Sequence, residues 1–266
     1  MSKNPVISVL MGAYNVGPTI GRSIESIQNQ TFTDWELIIC DDGSSDDTVA
    51  VVEQYAAQDS RIRLLKSDWN YKLSHALNCC LAVAQGEFCA RMDGDDICDS
   101  TRFQKQLDFL KSHPEYTFVS TTMKRYDEQG VYADPGITEN IAPTKDDLVP
   151  GSPFCHAPVM IRTEAYHAVN GYRDIPEVRG VEDYDLWFRL YAKGFRGYVL
   201  GEPLYSMFDG RDAAHRRSFR RRMNEYWVRK QGYALLGMSF WQRLYQYKPL
   251  ILACIPQWLY RIIRPL

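Results

Sequence analysis

The sequence predicts an α/β fold built on a mainly parallel sheet. Two observations predict it. Apolar, strand-like runs alternate four times with segments of helical period before residue 113. Two acidic clusters, Asp41/Asp42 and Asp93/Asp95/Asp96, each begin where an apolar run stops. Open parallel sheets bind ligands at the carboxyl ends of their strands, so the same placement predicts where the chemistry lies.

The elements follow in order. "PVISVLMGAYN" opens as a buried strand, and Ile20, Ile24 and Ile27 mark the helix after it. "WELIICDDGSSDDT" is a second strand running into a turn, after which Ser45 or Asp46 can cap a helix bearing Val49, Val52 and Ala56. "RIRLLKS" is a third strand; Leu73, Leu77, Leu81 and Ala84 trace a helix expected to stop at Gly86. "EFCARMD" is a fourth strand, followed by a helix on Phe103, Leu107 and Leu110. Beyond it the pattern loosens. "YTFVSTTMKRYDEQGVYADPG" reads as strands around a turn at 128–130, and 134–153, with four prolines and two glycines, reads as loop. "HAPVMIRTEAYHAVNGY" is a strand and a short helix ended by Gly171. "GVEDYDLWFRLYAKG" is a helix with Leu186, Leu190 and Tyr191 inward, and "GYVLGEPLYSMF" returns as a strand.

The bulk numbers agree with a globular protein: 266 residues, 45% hydrophobic and 24% charged. Seven cysteines, an odd number without paired zinc spacing, fall mostly in apolar periodic segments and read as reduced core residues of a cytosolic protein. The N-terminus shows no signal-peptide pattern, and no apolar run is long enough to span a bilayer. Charge is polarised. Residues 211–266 hold twelve Lys/Arg against Asp212 and Glu225, whereas 1–210 hold nineteen basic and thirty-one acidic residues. The basic end therefore either meets something anionic or is a helix with a solvated basic face.

Three constellations carry chemistry. In "DDGSSDDT", capping and turn formation explain Ser45, Asp46 and Gly43. Asp41 and Asp42, still at the strand end, suit hydrogen bonds from a base N–H or a ribose hydroxyl. In "MDGDD", carboxylates flanking a glycine converge on one point. A solvated acidic turn is the plain alternative; a hard cation, Mg²⁺ or Mn²⁺, would take those oxygens and keep positions open for phosphate. In "VEDYDLWFRL", Glu182 and Asp183 open a helix, which favours them electrostatically. Asp183 also suits a general base. The two roles pull against each other, because a helix N-terminus lowers the pKa that a base near neutrality needs raised.

Taken together, "PVISVLMGAYN", "SIQNQTFTDWELIICDDGSSDDT", "GEFCARMDGDD", "HAPVMIRTEAYHAVNGYRD" and "EDYDLWFRL", in that order over about 5–200, make the chain resemble a family-2 inverting glycosyltransferase of the GT-A fold. The resemblance implies a Rossmann-like nucleotide-sugar half (1–100), an acceptor half (101–210) and a basic amphipathic helical extension (211–266). It implies that Ala13, Tyr14 and Asn15 pack on base and ribose and that Asp42, with Asp41, binds the base. Asp95 would be the main metal ligand and Asp93 would meet ribose or metal. Asp183 would be the base, with Glu182 beside it toward the acceptor. His156 matches a histidine frequent before the "PVMIR" strand, where a buried hydrogen-bonding role fits as well. His215 or Arg216 would cover the donor diphosphate. The third-strand loop departs from the family: Tyr71 and Lys72 stand where many members carry a glycine, which leaves donor contacts from Asn70 to Asn78 open. The Q-x-x-R-W signature of processive synthases is missing, so transfer of one sugar per encounter is expected.

The expected activity is a hexosyl or N-acetylhexosaminyl transfer from a nucleoside-diphosphate sugar, UDP by preference. The expected acceptor is a saccharide, lipid-linked in bacterial surface polysaccharide synthesis. In the tail, Trp241, Leu244, Tyr245, Trp258, Ile262 and Ile263 interleave with Arg243, Lys248, Arg261 and Arg264, which suits the inner leaflet of the plasma membrane. Packing on the catalytic domain or a second subunit is the alternative, and Pro249 and Pro256 should break a spanning helix. No nucleic-acid motif accompanies the basic residues. Two rivals remain: a sugar-phosphate nucleotidyltransferase, although its Gly-rich phosphate loop is missing, and a non-catalytic nucleotide-sugar scaffold.

Overall fold

The computed structural model describes residues 4–209 and 218–254. The predicted alternation is present from the start: β1 (Ile7–Ala13), α1 (Gly17–Gln28), β2 (Trp35–Asp41), α2 (Thr48–Gln58), β3 (Ile62–Lys66), α3 (Leu73–Val83) and β4 (Phe88–Asp93). The four strands run parallel in the order β3-β2-β1-β4. The register opposes Gly12 to both Cys40 and Asp93, so the ends of β2 and β4 flank the end of β1.

Strand alternation divides the core between the two faces of the sheet. Ile7, Val9, Met11 and Ala13 of β1 pack with Ile20, Ile24 and Ile27 of α1 on one side, while Leu10 and Ile38 meet Ala76, Leu77 and Cys80 of α3 on the other. Each buried isoleucine of α1 contributes about 1.5–3 kcal/mol by its removal from water. The expected cap is displaced: the N-cap of α2 is Asp47, which makes no side-chain cap bond, while Asp46, one residue before it, accepts the amides of Thr48 and Gly17 at 3.0 Å each and so ties the turn to α1. Gly86 does not terminate α3, which ends at Val83. A side chain at Gly86 would lie 2.5 Å from the Ser8 nitrogen, so the glycine is there to let the chain pass close to β1.

The second half departs from the predicted pattern in detail. β5 (Ile97–Cys98) is a two-residue strand not expected from the sequence, antiparallel to β9 (Gly197–Phe208). α4 (Arg102–Ser112) follows as predicted. β6 (Phe118–Asp127) and β7 (Gly130–Ala133) form the expected hairpin, and β8 (Met160–Arg162) joins β4 to β6. The predicted 134–153 loop contains a 3-10 turn, Lys145–Leu148, because Thr144 and Asp147 make a capping box. α5 (Thr163–Ala168) ends, as expected, before Gly171 at φ +63°. A short 3-10 turn, Pro176–Val178, precedes α6 (Glu182–Ala192), whose Leu186, Trp187 and Leu190 are buried.

The described part of the extension, 218–254, is mainly helical. α7 (Phe219–Leu235) lies against α6, close enough that a side chain at Gly232 would overlap the Phe188 ring. α8 (Phe240–Arg243), a 3-10 turn and α9 (Lys248–Ala253) follow. Pro249 opens α9 rather than breaking a helix, since a first-turn proline forfeits no hydrogen bond. No helix of the described residues is long and apolar enough to cross a membrane. His215, Arg216, Trp258, Ile262, Ile263, Arg261 and Arg264 lie outside the described residues.

Candidate active site

The turns after β1 and β2 are stitched into one surface. Asn15, at φ +52°, donates its amide to the Ser44 hydroxyl at 2.9 Å, and its side-chain oxygen accepts the Ser45 amide at 2.9 Å. Ala13 accepts the Asp42 amide at 2.8 Å. Asp41 is buried and accepts the Ser44 amide at 3.1 Å, while Asp42 accepts the amides of Tyr71 and Lys72 at 2.9 and 2.7 Å. Burial pushes the Asp42 carboxyl above its ordinary value, and the two amides pull it back in part. A cleft of about 270 Å³ lies here, lined by Ala13, Tyr14, Asp42, Asn70 and Lys72. The half-exposed Tyr14 ring offers a stacking face, with the Lys72 ammonium 6.0 Å from its centroid.

Asp93, Asp95 and Asp96 close the end of β4. One oxygen from each lies within 4.8 Å of the other two. Asp93 is already held: the Arg91 guanidinium donates to both of its oxygens, at 2.5 and 2.9 Å. Asp96 is buried, and its Oδ1 accepts the Phe208 amide at 2.7 Å. Burial, then the fields of Asp93 and Asp95, push its carboxyl up to about 8. Three hard oxygen donors this close fit Mg²⁺ or Mn²⁺. Asp95 and Asp93 could hold the ion, Asp93 through the lone pairs that Arg91 leaves, with the buried Asp96 beneath them.

Glu182 and Asp183 are half-buried in the first turn of α6. Glu182 accepts the Gly180 amide at 2.7 Å. Burial pushes the Asp183 carboxyl above its ordinary value; helix amides and the guanidinium groups of Arg91 and Arg221 oppose this and lose. Of the two opposing effects on Asp183, burial therefore outweighs the helix position. The Arg91 guanidinium that grips Asp93 also acts electrostatically on Asp183 and Glu182.

Comparison with known proteins decides what this site belongs to. Residues 8–167 match the family described as Glycosyl transferase family 2. The chain belongs to that family. It is 41% identical over 257 residues to EpsE of Bacillus subtilis (strain 168), a glycosyltransferase by its name, covering 96% of this chain and 92% of that one. It is 30% identical over 215 residues to the UDP-Glc:alpha-D-GlcNAc-diphosphoundecaprenol beta-1,3-glucosyltransferase WfaP of Escherichia coli, covering 79% and 81%. S. aureus TarS 1-349, solved with UDP-GlcNAc, is 19% identical and superposes with a TM-score of 0.72 over 93% of this chain and 71% of that one. The fold is therefore GT-A.

The site also contains a residue that sequence reasoning missed. Arg91 grips Asp93, and its position two residues before Asp93, on the same face of β4, was the available signal. Its strand is braced by the buried Arg102, which donates to the Arg91 carbonyl at 2.8 Å. Lys72, which the sequence singled out as a departure from the family, lines the cleft. It stands at φ +87°, ψ 169°, a conformation that glycine adopts freely and that strains any other residue. His156 bonds the Tyr172 hydroxyl through Nε2 at 2.8 Å, and burial with the Arg91 field keeps its imidazole neutral, which matches the hydrogen-bonding role.

Proposed function

We propose that this glycosyltransferase inverts configuration, moving one hexosyl or N-acetylhexosaminyl unit from a UDP-sugar to a hydroxyl of a lipid-linked saccharide in bacterial surface polysaccharide synthesis. The observation that carries the reading is Asp183: a half-buried carboxyl raised by burial, under the same arginine that grips the acidic cluster. The TarS complex with UDP-GlcNAc and the diphosphoundecaprenol-linked acceptor in WfaP's name support the donor and acceptor classes.

Asp183 takes the proton of the acceptor hydroxyl, whose oxygen attacks the anomeric carbon from the face opposite the nucleotide. The bond from that carbon to the diphosphate oxygen breaks, its electron pair leaves with the nucleoside diphosphate, and configuration inverts. Tyr14 carries the base, Asp42 orders the loop over it, and Asp93, fixed by Arg91, faces the ribose side. A bound Mn²⁺ or Mg²⁺ supplies positive charge for the departing diphosphate. His215 or Arg216 would close over the phosphates. Phe240, Trp241, Tyr245 and Ile251 are exposed beside Arg243 and Lys248, which suits peripheral attachment to the inner face of the plasma membrane.

The test is a panel of nucleoside diphosphates and nucleotide sugars, each with Mn²⁺ or Mg²⁺, against the parent and Asp183→Asn. The expected outcome is metal-dependent thermal stabilisation by UDP in both, and transfer at least about 100-fold slower in Asp183→Asn. Equal transfer by the two would remove Asp183 from the chemistry. Pyrophosphate release from UTP and a sugar phosphate would instead support a nucleotidyltransferase, and UDP binding without any turnover a scaffold.

A further inference from the structure

We propose that Arg221, carried to the site by α7, is a positioning residue for Asp183 and clamps the turn that delivers it. Its Nε donates to the Gly180 carbonyl at 2.9 Å. Gly180 is at φ +81°, and the Arg221 side chain lies over its open Cα face: a Cβ there would meet Cγ at 3.4 Å and Cδ at 3.5 Å. One helical turn on, the buried Asn224 donates its single side-chain nitrogen to the carbonyls of Pro176 and Arg179, at 3.0 and 2.9 Å. Positions 221 and 224 share a face of α7, so that face holds three carbonyls of the 176–180 turn. The turn in turn holds the base pair of acids, because the Gly180 amide donates to Glu182.

α7 is itself fixed. Arg229 and Tyr233 both donate to the Val149 carbonyl at 2.7 Å, and Gly232 sits flush on Phe188 of α6. The extension therefore contributes a cation to the catalytic half through a rigid contact. The groups acting on Asp183 are Arg91 from β4, Arg221 from α7, Glu182 beside it, and Tyr172 and Cys155 from the loops. Arg91 is committed to Asp93 through both of its terminal nitrogens. Arg221 is the second cation in that set, and its described hydrogen bond goes to the Gly180 carbonyl and not to Asp93.

The field on Asp183 can be tested without substrate; only its consequence for transfer rests on reading Asp183 as the base. The experiment is a carboxyl carbon-13 NMR titration of the full chain, with the Asp183 resonance identified by its loss in Asp183→Asn. A cation lowers a neighbouring carboxyl, so its removal raises the midpoint. Arg221→Gln should move the Asp183 midpoint up by about half a pH unit or more, leaving about threefold less ionised carboxylate below it. Arg221→Lys should restore most of the shift. Asn224→Ala should leave the midpoint near the parent's and speed amide exchange over 176–181. An unmoved midpoint in Arg221→Gln, or an equal rise in Arg221→Lys, would overturn the inference. If Asp183→Asn abolishes transfer while the midpoint is unmoved, this inference alone fails; if the midpoint moves and Asp183→Asn still transfers, the assignment of the base alone fails.

Discussion

The ends of β2 and β4 solve the same electrostatic problem differently. Both crowd carboxylates at the mouth of a parallel sheet. At β2 the charge is absorbed by backbone: Ser44 donates an amide to Asp41, and Tyr71 and Lys72 donate theirs to Asp42. At β4 it is met by a buried guanidinium on Asp93, and burial pushes the Asp96 carboxyl upward. A carboxylate satisfied by amides shapes a loop. A cluster held by one arginine keeps capacity for a cation, since part of Asp93's coordination can be exchanged. The contrast gives the proposed base-binding cleft at β2 and the proposed metal site at β4 a physical argument separate from motif spacing.

The comparison breaks most easily at Asp93. Asp93→Asn removes the counter-charge from a guanidinium that is almost fully buried. Stripping one partner from a buried pair costs about 3–5 kcal/mol. The partial exposure of Asp93 and the relief of Asp96 place the expected loss near the lower end. Urea unfolding in EDTA at pH 7 should show it, and the double variant Arg91→Met/Asp93→Asn should recover most of it. A single variant as stable as the parent would mean that Arg91 is not what makes the cluster tolerable.

At β2 the expected loss is smaller, because amides rather than a charge are orphaned. Asp42→Ala strips the acceptor from two N–H groups, at about 1–3 kcal/mol for a buried donor left unmade. The same change should weaken UDP binding in calorimetry, as the cleft loses the side chain that orders Tyr71 and Lys72. Lost stability with unchanged UDP affinity would confine Asp42 to a structural role.

Legibility in the sequence follows the same division. The β1-to-β4 half was readable because each element carries its own period: the isoleucine spacing of α1 and the β1 alternation that splits the two cores. The placement of both acidic clusters followed from where those strands stop. Thr144-x-x-Asp147 was an equally local signal, and the proline count of 134–153 masked it. Other features have no local signature. β5 is two residues held by a strand more than a hundred positions away. His156 finds Tyr172, and Arg221 and Asn224 find the 176–180 turn, only through tertiary packing. Gly86 was misread because glycine ends helices and also admits a close backbone, and sequence does not distinguish the two. The buried state of Asp96 was hidden because the carboxylates beside it in "DGDD", Asp93 and Asp95, are partly exposed and nothing in the sequence separates the three.

The smallest effect concerns Lys72, where local propensity and structure conflict outright. A non-glycine residue at φ +87°, ψ 169° costs about 1–3 kcal/mol, and Asp42 helps hold it there by accepting its amide. Lys72→Gly should release that strain and lose about 0.5–1 kcal/mol of it again to the greater freedom of glycine in the unfolded chain, leaving a net gain of about 1 kcal/mol. Lys72→Ala removes the ammonium and keeps the strain, so the stability difference between the two variants isolates the backbone term. Both lose the cation over Tyr14, so both should bind UDP equally less well than the parent. Gly no more stable than Ala would show that the loop relaxes around residue 72, and that the conformation is set by the 70–73 segment as a whole rather than enforced on one lysine.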